Sequence, residues 1–598
     1  MFRRQGIFSW FLLIVISASC LLVPRHASAV TRYASATGSS GNAPCINSSS
    51  RCNLQTALNN AVAGDIVLVG NGTYAGPFNA TANAGTSSSK ILVQAENRHQ
   101  AILQGNSTGA AYAIPGTNYG FLVGKAYWII DGFDFKQHQY PITTDSNGTN
   151  LEVRNCLVHD FMHRGLYIRA SNSYIHDNVI GPTYLSTVGD SWQGIMLDRT
   201  DGHRIQRNII YSITNGAYIE YPNNGFPTNG YAIRMQLAHN SLIQGNIFID
   251  GAKGTGVRCL TDSIVATPGG PWCSGNTIQD NIFAHGQGAG IQLAENNRDS
   301  LVINNLFYNV FFDGPGGKGN DPGGNVYRHN TIYLGTYSWM GARLEVDNNS
   351  VGDLNATWRD NLIYSAHKVP SQKLLYNTGG SIKTASHNLF WSPVSPSSNW
   401  FVGYSPVGTD VLQQPVFTNA ATGDLSLAGN SPGKNAASDG TDIGIAYNSF
   451  LTKIWANYVV NMPTQEWTNP GSETSHTFIV TAGHWYQVLV YAPDTNPYLS
   501  VQTYTSNGNS LKFDLGVAIN GGCCRPPWVL EPPVRYMYAG TWPATNNNFT
   551  VTWQHANAAG KILIRQMPKP TEAYSLISGQ SAEVNLLEPK NLRITNQP

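Results

Sequence analysis

The sequence predicts an all-β solenoid followed by a small β-sandwich, and three observations point there. A phrase of one apolar residue, two polar ones, an asparagine and two more apolar residues recurs: "IQRNIIY" at 205–211, "IQGNIFI" at 243–249, "IQDNIFA" at 278–284. A second recurring phrase, "GLYIR" at 165–169 or "GIQLA" at 290–294, opens on glycine and then alternates. Gly, Asn, Ser and Thr are abundant while long helical patterns are nearly absent. Past about residue 470 the asparagine phrase stops and plain alternating strands such as "HTFIVTAGHWYQVLVYA" replace it.

Arg3 and Arg4, the apolar run after them and the "ASA" at 27–29 read as a cleavable secretory leader, which is excluded from the fold. A membrane anchor fits less well, because serines interrupt the run, and a lipidated Cys20 lacks the apolar residue expected before it. No later segment has eighteen uninterrupted apolar residues, so no stable membrane insertion is expected and the mature chain should be secreted or periplasmic. Loss of the leader removes three arginines and turns the net charge of +1 into −2. A near-neutral chain with 12% charged residues gives no electrostatic basis for nucleic-acid binding.

The asparagines of the first phrase are Asn155, Asn178, Asn208, Asn246, Asn281, Asn305, Asn330, Asn361 and Asn388, at intervals of 23 to 38 residues. The shortest intervals recur at separated places, as in a basic coil carrying insertions. A sharp turn between strands leaves backbone groups unpaired and often needs a left-handed residue, which Asn tolerates. Stacked amides could satisfy those groups in a ladder, so these asparagines are read as structural and not as ligands.

In the glycine phrase, alternation would turn Leu166, Ile168, Ile195, Leu197, Tyr231, Ile233, Val257, Cys259, Ile291 and Leu293 inward. The outward residues are then Tyr167 and Arg169, Met196 and Asp198, Ala232 and Arg234, Arg258 and Leu260, Gln292 and Ala294. "GAYIE" at 216–220 competes with "GYAIR" at 230–234, in which case Glu220 replaces Arg234.

At the front, "NLQTALNNAVAGD" (53–65) places Leu54, Ala57, Leu58 and Ala61 on one face of a short helix behind an Asn53 N-cap, fit to cover the first coil. At the back, 415–448 ("PVFTNAATGDLSL…SPG…DIGIAYN") reads as the closing coil. The start "AGDIVLVGNGTY", the asparagine coils and this finish resemble secreted bacterial right-handed parallel β-helix proteins of the pectate-lyase-like superfamily, over residues 30–450. The resemblance implies a fold and not one activity, because that superfamily holds lyases, hydrolases, epimerases, esterases and binders. The expected order is leader 1–29, right-handed parallel β-helix 30–450, polar linker 451–470, β-sandwich 471–570 and tail 571–598. In the sandwich, Trp528, Tyr536, Tyr538 and Trp542 are core residues or a sugar-stacking face.

Seven cysteines remain after the leader. In an exported protein Cys45 with Cys52, and Cys259 with Cys273, would close short loops, and Cys156 would be a buried thiol. No CxxC pattern suggests zinc.

The long intervals 178–208, 208–246 and 246–281 are consecutive, so their insertions can stack as walls beside an exposed sheet. The charged outward residues fall on the same coils. An extended groove flanked by cations suits an acidic polysaccharide, and the reading favoured is a lyase or epimerase on uronate chains. A base removes the proton beside a carboxylate that a cation neutralises. Lys253 or Arg258 is assigned as base, Arg234 or Arg169 as the carboxylate partner, and Asp198 as orienting group. Tyr167, Arg169, Tyr184, Trp192, Glu220 and Trp272 are candidate substrate contacts. Asp198 and Asp190 are the candidate ligands if Ca²⁺ takes an arginine's place, as it does in some relatives, although no dense acidic motif demands it. His159, Asp160 and His163 in "HDFMHRG" form an alternative cluster. A glycoside hydrolase pairing Asp198 with Glu220 or Asp190, and a non-catalytic polysaccharide-binding or surface protein, stay open. The polygalacturonase signatures ("NTD", "DD", "GHG", "RIK") and those of the main pectate lyase family ("WIDH", "RxPxxR") are absent. The partner expected is a polysaccharide and the expected state a monomer.

Overall fold

Each coil supplies three short strands, and each strand pairs in parallel with its counterparts in the coils before and after. The structure is a computed structural model that describes residues 29–106, 118–183, 192–213, 230–251, 254–259, 273–286, 289–293, 297–310, 312–313, 324–335, 342–343, 356–366, 373–376, 382–393, 396–447, 453–468, 473, 475–492, 503–506, 509–511, 535–552 and 561–578. The first sheet has 13 strands, from Thr31–Ala34 to Ile382–Ser386; the second has 12, from Gly72–Ala75 to Leu389–Trp391. The third runs from Phe78–Ala80 to Phe401–Val402. Stacking aligns like with like. Ile175, Ile205, Ile243, Ile278 and Val302 are register neighbours in the first sheet and fully buried. Inside the second sheet Phe248, Phe283 and Phe307 stack with centroids 4.8 Å apart at each step. Every inward residue therefore meets apolar neighbours from two other coils, which removes most of its surface from water.

The asparagine ladder stands between the first and second sheets. The Asn208 backbone N–H and its Nδ2 both donate to Asn246 Oδ1 at 3.0 Å, and Asn246 repeats this onto Asn281 at 2.9 and 3.0 Å. The chain of amides continues through Asn305, Asn330, Asn361 and Asn388 and ends on Asp410 Oδ1. Each Nδ2 also donates to backbone carbonyls, as Asn281 does to Ile243 and Gln279 at 2.9 Å. Two expectations are corrected here. The ladder slot of its coil is Cys156, whose N–H donates to Asn178 Oδ1 at 3.0 Å, and Asn155 lies one residue before it. The left-handed residue is likewise the one preceding each ladder asparagine: Asp177, Arg207, Gly245, Asp280, Asn304, His329, Asp360 and His387 all have φ between 53° and 65°. The amide therefore serves for hydrogen bonding, and the neighbour takes the strained backbone.

The front cap forms as the sequence indicates. Helix α1 (Leu54–Asn60) starts on Asn53, whose Oδ1 accepts from Thr56 N at 2.8 Å, and its Leu54, Ala57 and Leu58 are buried against the first coils. Disulfides join Cys45 to Cys52 and Cys259 to Cys273, and Cys156 is a buried free thiol.

The back end departs from expectation. Val411 still pairs with Leu389, but residues 415–447 do not wind a further coil. Phe417–Asn419 and Asp424–Leu427 make an antiparallel pair, and the chain then runs back along the stack. Gly444 N donates to Asp360 O, Ile445 N to Thr331 Oγ1 and Ala446 N to Asn304 Oδ1, one coil earlier at each step. Ser438 anchors this return on the fully buried Asp360 carboxylate. The segment expected as a linker is ordered structure: helix α2 (Lys453–Val460) and strand Thr464–Thr468, which pairs with Lys561–Met567. The tail begins with helix α3 (Pro570–Ser578), because Ala573, Tyr574 and Ile577 share an apolar face.

Two antiparallel four-stranded sheets form the C-terminal unit. It is not a free module. Leu157, Val179, Ile209, Ile247, Ile282 and Leu306, outward on the second sheet, form one buried cluster with Ala456, Val459, Trp485, Met567, Tyr574 and Ile577. Tyr574 also donates to Asn155 Oδ1 at 3.1 Å. Trp542 is buried in this unit, while Trp528 lies outside the described residues. Among the described residues no helix is long and apolar enough to cross a membrane.

The expected His159 cluster divides. His159, at the end of its second-sheet strand, touches Asp160 Oδ2 at 2.7 Å through Nδ1 and Asp134 Oδ1 at 2.9 Å through Nε2. Burial alone would lower its pKa, but the two carboxylates outweigh it and raise the value to about 9. His163 points elsewhere, as described below.

Replacing Asn281 with Ala is expected to leave Asn246 N–H and the Ile243 carbonyl buried without partners. The loss in unfolding free energy, read by urea titration, should be at least about 2 kcal/mol. His159 binds its proton more tightly folded than unfolded. Its contribution to stability is therefore full below the unfolded value of about 6.5 and fades as pH rises through about 9. Melting temperatures of wild type and His159→Gln should differ more at pH 6 than at about pH 10; a constant difference would contradict the assignment.

Candidate functional site

Outer faces of the solenoid are not equivalent. The second sheet is covered by the C-terminal unit. The first satisfies itself: Glu152 takes Lys90 and Arg154 at 2.8 Å, Arg154 also takes Asp131 at 2.9 Å, and Arg207 takes Asp177 at 2.6 Å. Burial opposes ionisation of Glu152, yet His176, Lys90 and Arg154 bring its pKa down to about 2. The third sheet is different.

Its middle column reads Thr143, Tyr167, Met196, Arg234, Arg258 and Gln292, each the register partner of the next. Arg234 and Arg258 are thus lateral neighbours, 7% and 4% exposed. Asp198 is two residues further along its strand and pairs with Gln236. "GYAIR" is therefore the phrase in the column, and Glu220 lies outside the described residues. So do Lys253, Tyr184, Asp190 and Trp272.

Strict alternation fails at the start of each third-sheet strand, which corrects the expected orientation of Tyr231 and Ala232. A Cβ on Gly165 would approach Ile180 and Phe161 of the interior to 3.2 Å and the Gly194 carbonyl oxygen to 2.6 Å. The glycine and the residue after it both face inward; at 232–233 the pair is Ala232 and Ile233. The residues before the pair, Arg164, Gln193 and Tyr231, consequently come to the outer face, in register with one another. Sequence reasoning missed them because it started the alternation on glycine; the signal available was the residue just before each glycine.

These residues complete the site. The Arg258 guanidinium lies over the Tyr231 ring, 4.7 Å from its centroid, and Nη1 donates to the Tyr231 hydroxyl. Arg258 Nε is buried and has no hydrogen-bond partner among the described residues. Three coils back, the Tyr167 ring sits between the Arg164 and Arg169 guanidinium groups, 4.2 and 5.1 Å from its centroid. Arg164 Nε donates to Gln193 Oε1 at 2.8 Å. The Tyr167 hydroxyl donates to Asp198 Oδ2 at 2.8 Å, and burial followed by that carboxylate raises the phenol's pKa. His163, apart from His159, contacts the Tyr140 hydroxyl through Nδ1 at 2.8 Å, and Tyr140 lies 5.9 Å from Tyr167. Trp192 is 3% exposed and belongs to the interior apolar cluster, so it offers no ring to a groove. Its large apolar surface is better removed from water than left on the strip.

Arg164, Arg169, Arg234 and Arg258 outnumber the acidic residues set among them, Asp198 and, one coil beyond Gln292, Asp313, which makes this strip an anion-accepting surface. Calcium does not fit the described residues around Asp198. Its Oδ2 is taken by Tyr167 and its neighbours are arginines and Gln236, while Ca²⁺ needs clustered oxygens. Among the described residues no group of three or more His, Cys, Asp and Glu is placed to hold a metal.

None of the curated proteins matches this sequence. Among solved structures, pectate lyase Pel9A is similar with a TM-score of 0.40 and 15% identity, over 70% of this chain and 96% of the lyase. The PL6 family alginate lyase AlyGC is similar with a TM-score of 0.42 and 15% identity, over 65% of this chain and 55% of that one. The catalytic unit of the GH87 α-1,3-glucanase from Streptomyces thermodiastaticus gives 0.36 and 14%, over 65% and 68%. Likeness at this level does not extend to activity. The family model for the right handed beta helix region matches residues 183–351. With its three parallel sheets and its asparagine ladder, the chain carries a right-handed parallel β-helix.

Proposed function

We propose that the protein is exported and acts on an acidic, uronate-containing polysaccharide laid along the outer face of the third sheet, as a lyase or epimerase. The observation that carries this reading is the register pairing of the two buried arginines, Arg234 and Arg258. Two adjacent guanidinium groups held away from water attract an anion more strongly than either does alone, and a desolvated arginine binds a carboxylate in two-point fashion. Arg258 Nε, unpartnered among the described residues, gives that anion a donor.

Abstraction of the proton beside a carboxylate leaves negative charge on the carboxylate oxygens. Donors already fixed in place stabilise that charge without reorganising. In this reading Arg234 and Arg258 neutralise the uronate carboxylate and Lys253, next in sequence before strand Gly254–Cys259, takes the proton, with Arg258 as the alternative base. In a lyase the freed electron pair forms the ring double bond as the glycosidic C–O bond breaks, and the leaving oxygen takes a proton back from the base; in an epimerase a proton returns to the carbon from the opposite face. Asp198, held by Tyr167, orients the sugar hydroxyls nearby. Arg164 and Arg169 meet the acid groups of neighbouring sugars. Two disulfides fit an oxidising compartment.

Mixing the protein with pectate, alginate and chondroitin and following the ultraviolet absorbance of the unsaturated product tests the lyase reading. An epimerase would change the uronate composition with no rise in absorbance. Arg234→Ala and Lys253→Ala should each lower kcat/KM by about 100-fold or more on the responsive polymer. Full activity in both variants would overturn the site assignment, and reducing ends without absorbance would favour a hydrolase.

A further inference from the structure

Three consecutive corners lead from the second sheet into the third, and they precede the site strands Gly230–His239, Gly254–Cys259 and Ala289–Leu293. The corner residues are Ser212, Asp250 and His285, with φ of 48°, 56° and 54°. Each is a non-glycine residue in the left-handed region, a conformation that persists when its surroundings hold it.

The C-terminal unit supplies that hold. Gln487, Thr541 and Arg565 sit side by side on three adjacent strands of one sheet, as register partners. Gln487 Nε2 donates to Asp250 Oδ1 at 2.9 Å and to the His285 carbonyl at 2.6 Å. Thr541 Oγ1 donates to Asp250 Oδ2 at 2.6 Å, beside Ser212 Oγ at 2.9 Å. Arg565 donates to Gln487 Oε1, and the carbonyl of Val459 in α2 meets His285 Nε2 at 2.8 Å. Asp250, Gln487, Thr541 and Ser212 are fully buried. Such a network is rigid while complete, and removing one donor leaves a buried carboxylate undersatisfied.

We propose that Gln487 and Thr541 of the C-terminal unit are positioning residues for the site: through Asp250 they fix the corner from which the chain enters the Arg258 strand, and with it the height of Arg258. The C-terminal unit is then a part of the catalytic architecture and not an appended binding module. The consequence for activity rests on the function proposed above, whereas the mechanical claim does not. Asp250 is eight positions before Arg258, with only residues 252–253 between the two strands. A slackened corner therefore has little chain in which to dissipate the movement before Arg258.

The test is amide hydrogen exchange on the full chain, alongside uronan turnover. Thr541→Val and Gln487→Met should speed exchange at 254–259 by about tenfold or more and leave the coil at 128–144 unchanged. Thr541→Ser, which keeps the hydroxyl, should restore wild-type exchange and turnover. Exchange at 254–259 that is unchanged, or raised equally in both regions, would overturn the proposal. Should the first two variants not fold, wild type under rising denaturant still decides. Amides 254–259 are expected to open together with strand Lys561–Met567, and independent opening would refute the link. A wild-type protein inactive on every uronan would overturn the proposed function alone, since the exchange result would still judge the corner.

Discussion

Every coil must turn out of the first sheet without stranding the backbone groups of the turn in an apolar interior. The asparagine ladder meets that constraint: one carboxamide accepts from the coil before and donates to the coil after, and the chain of amides ends on the Asp410 carboxylate. Since each amide needs its counterpart at one strand spacing, the ladder also fixes register. A slip of one residue would break the ladder and turn every inward side chain out. Cys156 shows what happens at the ladder's first step: its N–H donates to Asn178, and its thiol takes the amide's place toward the Arg154 and Ile130 carbonyls.

With register fixed, outer side chains of distant segments become columns, and the three sheets use their columns differently. On the first, Lys90, Asp131, Glu152, Arg154, Asp177 and Arg207 pair among themselves. On the second, apolar columns are covered by α2, α3 and the C-terminal sheets. On the third, among the described residues, arginines gather around the Tyr167 and Tyr231 rings. The link to the C-terminal unit through Asp250 joins the second-sheet face to the third.

The stacked-coil architecture was legible because it depends on short-range pattern. The asparagine spacing, the apolar pairs after each asparagine and the helix behind Asn53 are local signals. Both disulfides were legible from loop length. The adjacency of Arg234 and Arg258 was visible too, because the two phrases align once coils stack in register. Arg164, Gln193 and Tyr231 were not, since two successive inward positions at 165–166 and 232–233 break the alternation that period-two reading assumes. Trp192 and His163 were misassigned for a related reason: a residue at a strand's edge has no period to tell inside from outside.

By itself, then, the sequence determined the repeat, the ladder, the front cap and the candidate cationic column, all of which follow from periodicities that one strand or turn imposes on its neighbours. Tertiary structure alone decided that residues 438–447 run back along the stack. It also decided that 453–468 and 570–578 are docked elements, and that Gln487 and Thr541 reach Asp250. Those contacts join unlike segments at separations from 78 to 419 residues. No repeating pattern in the chain encodes such a pairing; it arises because a bare apolar sheet face is more stable covered than wet.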